Sequence, residues 1–190
     1  VSAVLKRIGL GKLSRLEPAE PVRRYERSRP GELIHIDVKK LGRIGPHGAG
    51  HRVLGRSWAK EGGRRTDAAG VRRLQSGWDR VHVCVDDATR LAYVEVLPDE
   101  KTKTVVGFLR RAVGLYRSHG IAVERLMTDN GSAYRSAAHA LACRAMGIRH
   151  IRTQPYRPQT NGKAERFIRT MLRGWAYAAV YGSSPDRAEA

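Results

Sequence analysis

The sequence predicts an α/β domain in which helices cover a mixed β-sheet. Residues 33–41, 81–85 and 91–97 form short runs of aliphatic and β-branched side chains bounded by turn residues, which is typical of strands. Residues 102–118 and 164–175 instead repeat apolar side chains at helical spacing. After residue 97 helices and strands alternate, which favours parallel strands joined by right-handed crossovers. We therefore expect five strands, the first three antiparallel and the later ones parallel.

Each element has its own local signal. The first strand, residues 33–41, is followed by a hairpin whose strands 81–85 and 91–97 flank turn residues 86–90. The helix over 102–118 places Val105, Phe108, Ala112 and Tyr116 on one face. A strand over 123–127, a helix over 133–146 that stops at Gly147, a strand over 148–153 and a helix around residue 165 complete the order.

The domain organisation follows from length and from the positions of proline and glycine. A chain of 190 residues suits one domain. Residues 1–30 are predicted to hold a short helix over 1–10, which we interpret as the remnant of an upstream helix-turn-helix, followed by a linker that contains three prolines. Residues 31–181 form the core and 182–190 a tail. Because the chain begins at Val1, we expect a fragment of a longer protein.

The composition indicates a polyanionic partner. The chain has 36 Lys and Arg against 18 Asp and Glu, a net charge of +18. Such an excess favours nucleic acid first and a membrane surface second. Neither a spanning apolar stretch nor a signal peptide is visible, so we expect a cytoplasmic protein. Cys84 and Cys143 lie far apart and outside any CxxC pair, which predicts two buried core residues, no disulfide and no zinc site.

Residues 42–78 interrupt the pattern with a basic, glycine-rich segment. It holds nine glycines and eight Lys or Arg, with Glu61 and Asp67 as its acids. This length is unusual for a plain connection, so the segment is predicted to be either a functional loop or a disordered one. A mobile solvated loop and direct contact with DNA are both consistent with it, since such loops can become ordered on binding.

Three carboxylates stand at predicted element positions. Asp37 interrupts an apolar strand, where a desolvated charge needs a compensating positive group. Asp129 follows the strand over 123–127, at the strand end where α/β sheets place ligands, although Asp-Asn-Gly alone is typical of a turn. Glu165 lies on the border of the apolar stripe of its helix, and a surface pair with Arg169 is its alternative reading.

Four motifs surround these carboxylates: HID at 35–37, VCVDDATR at 83–90, TDNGSAY at 128–134 and PYRPQTNGKAER at 155–166. Together they resemble the integrase catalytic core of DDE transposases, in particular bacterial insertion-sequence transposases related to retroviral integrases. The resemblance covers about residues 31–181, and thirty-five residues separate Asp129 from Glu165, as in that family.

The resemblance implies a ribonuclease H-like fold with a mixed five-stranded sheet. It also implies that Asp37, Asp129 and Glu165 are catalytic and hold two Mg²⁺ or Mn²⁺ ions, which suits an all-oxygen ligand set. The implied activity is 3′-end cleavage of transposon DNA followed by strand transfer into a target duplex, without a covalent protein intermediate. Serine and tyrosine side chains are then not nucleophiles.

Other polar residues of these motifs have simpler expected roles. Asp86 and Asp87 are predicted to shape the hairpin turn, and His35 to have a buried, satisfied or supporting role. The loop before the last helix and the basic side of that helix are predicted to contact DNA phosphates, with Thr160 or Asn161 also capping the helix. The predicted DNA-binding residues are Tyr156, Arg157, Gln159, Asn161, Lys163, Arg166, Arg169 and Arg173.

Two alternative functions remain open from the sequence. One is a catalytically silent DNA-binding remnant of a transposase, and the other is a ribonuclease H-like nuclease without strand transfer. For the active transposase we expect a homo-oligomer that bridges two DNA ends, located at the bacterial nucleoid. No membrane partner is expected.

Overall fold

The central feature of the fold is a mixed five-stranded sheet. The computed structural model describes residues 2–7, 27–44, 65–66, 72–73, 77–153, 162–179 and 181–190. The strands of the large sheet are β1 (Ile34–Gly42), β4 (Trp78–Asp86), β5 (Ala92–Leu97), β6 (Arg125–Thr128) and β7 (Arg149–Arg152), and a separate small ladder pairs β2 (Arg65–Thr66) with β3 (Arg72–Arg73). The large sheet has the order β5-β4-β1-β6-β7, so the predicted five-stranded α/β architecture is confirmed.

The helices follow the predicted order, but the third begins later than predicted. They are α1 (Ser2–Arg7), α2 (Thr102–Ser118), α3 (Ala137–Ala145), α4 (Gly162–Met171) and α5 (Ser184–Glu189), and a π-helical turn (Leu172–Ala176) continues α4. The prediction that a helix begins at residue 133 is wrong, because residues 131–136 form turns and Ser136 caps α3 by accepting a hydrogen bond from the His139 N–H. Helix α1 lies inside the helix predicted over residues 1–10.

Strand β1 lies at the centre of the sheet and has a different kind of neighbour on each side. It pairs antiparallel with β4, where Asp37 is opposite Val83. It pairs parallel with β6, where His35 is beside Met127. The first three strands in the chain order of the large sheet are thus antiparallel and the later pairs parallel, as predicted.

The two faces of the sheet carry separate apolar cores. Side chains alternate along a strand, so Ile34 and Ile36 face α2 and α3, where they join a cluster with Phe108 and Tyr116. The opposite face packs Val83 and the neighbouring Leu41, Val81 and Val85 against Ile168 of α4 and Ala176. Asp37 shares the α4 face, because residues paired across an antiparallel ladder lie on the same side of the sheet.

The β4–β5 turn buries two aspartates. Asp86 accepts hydrogen bonds from the backbone N–H of Gly31 at 2.8 Å and of Thr89 at 2.7 Å. Arg90 completes the turn with a φ of 66°, in the left-handed region. The predicted turn is confirmed, whereas the full burial of Asp86 and Asp87 was not anticipated. These carboxylates connect the turn to the segment that precedes β1.

The C-terminal helix α5 is fixed to the sheet by a buried ion pair. Arg187, whose side chain is 3% exposed, donates from Nη2 to Asp79 Oδ2 at 2.8 Å and to the Gly42 carbonyl at 3.0 Å. Ser184 also donates to Asp79, and its Oγ accepts from the Ile44 N–H. Asp79 thereby joins β4, the end of β1 and α5.

Several predicted segments lie wholly or mostly outside the described residues. These are the linker before residue 27 and most of the basic segment 42–78, of which the β2–β3 ladder is described. Among the residues that are described, none of the helices has the length and apolar character needed to cross a bilayer. Both cysteines are buried free thiols, as the sequence predicted.

Candidate metal and nucleic-acid site

Asp37 is held rigidly at the middle of the sheet. It lies on β1 with ladder partners on the β4 side, and its Oδ1 accepts a hydrogen bond from the Val38 N–H at 2.8 Å. The side chain is half-buried on the face covered by α4. Strand pairing therefore fixes the position of this carboxylate, while part of it stays accessible to a ligand.

Asp129 reaches the same place from the neighbouring strand. The parallel register places His35 beside Met127. Two residues further along each strand, Asp129 is therefore level with Asp37. Its Oδ1 accepts from the Gly131 N–H at 2.9 Å, and the Asn130 side chain donates to the Thr153 carbonyl at 2.8 Å. These bonds hold the exposed Asp129 at the carboxyl end of β6, the strand end predicted to place a ligand.

Glu165 approaches from the helix above this face of the sheet. Helix α4 packs against β1 and β4 and buries Ala164 and Ile168. Glu165 lies in its first turn and is exposed, next to the buried stripe rather than within it. The predicted border position agrees with the structure.

The charges of Asp129 and Glu165 both act on the Asp37 carboxylate. Burial, and then the negative charges of Asp129 and Glu165, raise the pKa of Asp37 to about 6. Within the part of the chain that the structure describes, the three do not meet as a closed set of oxygens within 4.8 Å. The fold thus assembles a spread group of three acids whose mutual repulsion favours a bound cation.

We predict that Asp37→Asn stabilises the metal-free protein at neutral pH. Because the folded pKa is raised from 3.8 to about 6, the native state binds the extra proton, and wild-type stability falls as pH rises through this window. The shift of about two units corresponds to at most about 3 kcal/mol. Urea unfolding without divalent ions should show the variant more stable at pH 7 and the two proteins converging below pH ~4.

Two comparisons make this measurement specific. Asp99→Asn changes a loop aspartate whose pKa is lowered, first by a hydrogen bond from Thr104, so it should give no gain at pH 7. Added Mg²⁺ should stabilise the wild type more than Asp37→Asn. Equal stability of wild type and Asp37→Asn at pH 7 without metal would show that the carboxyl is not destabilised by its neighbours.

The N-terminal end of α4 is attached to the hairpin turn through Asp87. His35 Nε2 lies 3.0 Å from Asp87 Oδ1 in a fully buried pair, and the Lys163 ammonium lies 3.7 Å from the same oxygen. Burial opposes the ionised form of Asp87, but hydrogen bonds from the Arg27 N–H and His35, together with Lys163, lower its pKa overall. This network connects the Glu165 helix to β1, and it gives His35 the buried supporting role that was predicted.

Tyr134 is a residue near this site that was not identified from the sequence. It is buried, and its phenol oxygen has no hydrogen-bond partner among the described residues. Burial, and then the charges of Asp129 and Asp37, raise its pKa far above the ordinary value. Its place in the turn after Asp129 is the available signal, but a tyrosine in such a turn does not by itself predict burial beside carboxylates.

A basic groove runs along α4 from Glu165. It encloses about 400 Å³ and is lined by Gly162, Glu165, Arg166, Arg169, Thr170 and Arg173. Three of the predicted DNA-binding arginines therefore share one groove with the third carboxylate. Lys163 is half-buried and directed at Asp87 rather than lining the groove. The predicted contacts Tyr156, Arg157, Gln159 and Asn161 lie outside the described residues.

Family comparisons match most of the chain. A model of the integrase core domain matches residues 27–158, and a second integrase core domain model matches residues 146–190. The retrovirus-related Pol polyprotein from transposon TNT 1-94 of Nicotiana tabacum is 37% identical over 111 residues, which are 56% of this chain and 8% of that polyprotein. The Pol-related polyprotein of the mouse intracisternal A-particle is 32% identical over 91 residues, which are 48% of this chain and 10% of that polyprotein. The chain spans about a tenth of these curated relatives.

Solved structures match the fold. A chain of the simian T-cell lymphotropic virus intasome, in complex with the PP2A regulatory subunit B56 gamma, superposes with a TM-score of 0.56 at 20% identity, covering 85% of this chain and 46% of that one. The catalytic core domain of BIV integrase superposes with a TM-score of 0.50 at 17% identity, and the superposition covers 83% of this chain and 80% of that one. The predicted ribonuclease H-like fold is therefore confirmed.

Proposed function

Because this chain belongs to the integrase core domain family, we propose that it is the catalytic core of a transposase that cleaves DNA 3′ ends and transfers them into a target duplex. The observation that carries the proposal is positional: Asp37 lies on β1, Asp129 directly follows the neighbouring parallel strand β6, and Glu165 lies on α4, which packs against β1 and β4. The groove of arginines that starts at Glu165 supports a phosphate-rich substrate.

The donor set fits hard divalent cations. Three carboxylates offer oxygen atoms alone, which Mg²⁺ and Mn²⁺ prefer. The proposed mechanism uses two such ions. When bound, such ions polarise the phosphodiester, activate the attacking oxygen and stabilise the leaving oxygen. Asp37, Asp129 and Glu165 are the residues that would hold these ions.

The protein's own groups would position the DNA. Arg166, Arg169 and Arg173 present guanidinium groups that can each donate two hydrogen bonds to phosphate oxygens. Backbone hydrogen bonds to Asp37 and Asp129 hold their carboxylates in place before DNA binds. This lowers the entropic cost of the reaction. Tyr134 is too buried to attack a phosphodiester, which supports direct attack by water and then by a DNA 3′-hydroxyl.

The test incubates the whole chain with Mn²⁺, a labelled DNA duplex and a supercoiled plasmid as target. The duplex carries the transposon-end sequences that flank the gene of this protein. The proposal is supported if the labelled duplex is nicked at its 3′ ends and the label is then found covalently joined to the plasmid. Nicking without joining indicates a nuclease, and binding without chemistry indicates a silent DNA-binding remnant. Because joining two ends requires two active sites, we also propose that the active form is a homo-oligomer, which light scattering with DNA would test.

We predict that the arginine groove sets the salt dependence of DNA binding. Replacing Arg166, Arg169 and Arg173 by glutamine should flatten the slope of log affinity against log salt by about 0.9 for each lost phosphate contact. Fluorescence anisotropy at several salt concentrations measures this slope. The matched control replaces the exposed arginines Arg110, Arg117 and Arg144 of α2 and α3 by glutamine. Equal slopes for both triple variants would exclude the groove as the DNA-binding surface.

A further inference from the structure

Two histidines and a cysteine meet on the other face of the sheet from α4. His139 and Cys143 are four residues apart on α3 and therefore lie on one side of that helix. His150 lies on β7, against which α3 packs. One potential ligand atom from each residue lies within 4.8 Å of the other two, and no other group of three such residues meets this criterion in the described ranges.

We propose that His139, Cys143 and His150 bind a zinc ion. Imidazole nitrogen and thiolate sulfur are the ligands that zinc prefers, with bond lengths of about 2.0 and 2.3 Å. In a tetrahedral site these lengths set a nitrogen to sulfur separation of about 3.6 Å. The His139 Nδ1 to Cys143 Sγ distance is 3.7 Å, so this pair already has the spacing of two zinc ligands.

The polar atoms of His139 lack the partners that a buried histidine normally has. The side chain is fully buried, and its Nε2 has no hydrogen-bond partner in the described structure. Its Nδ1 has only the long contact with the Cys143 thiol. Ring contacts with Tyr134 and His150 account for its packing but satisfy neither nitrogen. A metal ion bound by this histidine would compensate part of the cost of burying it.

His150 has a hydrogen bond of the kind that metal-binding histidines usually make through their second ring nitrogen. The Thr128 hydroxyl donates to the Asp129 carbonyl at 2.9 Å, so its oxygen is available to accept a hydrogen bond from His150 Nε2, also at 2.9 Å. This assigns the ring proton to Nε2 and leaves a lone pair on Nδ1. A hydrogen bond from the second ring nitrogen is the feature that orients histidine ligands in metal sites.

The protonation states have a defined consequence for binding. Burial, and then the neighbouring His150, lower the pKa of His139 to about 4, so the imidazole is neutral at pH 7. Burial raises the pKa of the Cys143 thiol to about 11. Zinc binding therefore replaces the thiol proton with a sulfur to zinc bond and releases one proton to solvent. This proposal departs from the sequence prediction of no zinc site, which rested on cysteine spacing alone and did not consider one cysteine combined with histidines from other elements.

The proposed ion would brace the strand end that carries Asp129. It would link α3 to β7. Its ligand His150 is hydrogen-bonded to Thr128, which is the residue directly before Asp129. The fourth ligand would be a water on the half-buried His150 side. Nitrogen and sulfur donors select zinc, whereas the all-oxygen site on the opposite face selects Mg²⁺ or Mn²⁺, so the two sites are chemically distinct.

The test is a Co²⁺ titration of the untagged full chain under reducing conditions, with Co²⁺ as the spectroscopic substitute for zinc. We expect one equivalent to give thiolate-to-cobalt charge-transfer absorption and tetrahedral d–d bands, both removed by added Zn²⁺. Cys143→Ala should abolish the charge-transfer band, and His150→Gln at a half-buried position should weaken binding. Thr128→Val, which removes the acceptor for His150, should weaken it about 10–100-fold.

Two controls separate the site from other thiols and histidines. Cys84→Ala changes the other buried cysteine, and His119→Gln changes an exposed histidine on α2's C-cap, so both should keep the full spectrum. Zn²⁺ should also raise the melting temperature of the wild type but not of Cys143→Ala, with circular dichroism checking that each variant is folded. Absence of the charge-transfer band in the wild type, or its persistence in Cys143→Ala, would overturn the proposal.

Discussion

Asp129→Asn should reduce DNA cleavage and strand transfer roughly 10³-fold while leaving the fold and DNA binding intact. An amide oxygen can still accept the hydrogen bond from the Gly131 N–H, so the loop after β6 keeps its geometry. In the proposed mechanism the lost charge would weaken cation binding, which contributes several kcal/mol to stabilisation of the transition state, and each 1.36 kcal/mol changes a rate tenfold. Single-turnover cleavage of labelled DNA in Mn²⁺ measures the loss.

The chain contains a closely matched control for this substitution. Asp99 also lies in a loop, and its Oδ1 accepts a hydrogen bond from the backbone N–H two residues later, that of Lys101, at 2.9 Å. Asp99→Asn therefore makes the same chemical change in the same local hydrogen-bond pattern, away from Asp37. It should retain full activity. Comparable activity of Asp129→Asn and wild type would refute the assignment of Asp129 to the metal site.

Arg187→Met should destabilise the protein by about 3 kcal/mol, the second large effect that we expect. Removing one partner of a buried ion pair leaves the other charge desolvated, and such losses are typically about 3–5 kcal/mol. Asp79 keeps Ser184 and Arg43 as partners, which places the expected loss at the lower end. Urea unfolding measures it as a lower midpoint with an unchanged slope.

Arg43 provides the control, because it binds the same carboxylate from a different environment. Its side chain is 48% exposed, against 3% for Arg187, so Arg43→Met should cost under about 1 kcal/mol. Burial opposes ionisation of Asp79, but hydrogen bonds from Ser184, Arg43 and Arg187 lower its pKa. Its stabilising effect is thus present above pH 3.8 and lost as pH falls, and Arg187→Met should shift that loss to higher pH. Equal costs for both variants would show that burial does not determine the effect.

The fold was largely predictable because hydrophobic periodicity and turn residues have direct structural causes. The helix Thr102–Ser118 has the predicted bounds, since Gly120 adopts a φ of +72° just beyond its end. The alternation along β1 correctly put His35 and Asp37 on one face. The approach of the three carboxylates was expected from family resemblance together with strand-end position, and their catalytic role stays a prediction.

Features that depend on contacts between distant residues could not be read from local pattern. Asp86 and Asp87 have ordinary turn sequences, and their burial results from Gly31 and Arg27 contacting them from another segment. Tyr134 became part of the carboxylate site through the packing of the turn after β6. The His139, Cys143 and His150 group needs α3 and β7 to be adjacent. Each case involves tertiary geometry that residue spacing does not encode.

The central position of β1 has a consequence for how the protein folds. Its partners come from far along the chain, since Asp37 pairs with Val83 and His35 with Met127. Closing such long loops precedes any energetic gain, so the β4–β5 hairpin should form early and β1 should dock late, giving slow folding. Hydrogen-exchange labelling during refolding would follow this order. Asp37 and Asp129 come together only when β1 pairs with β6, so a partly synthesised or partly folded chain would lack the assembled carboxylates on which the proposed activity depends.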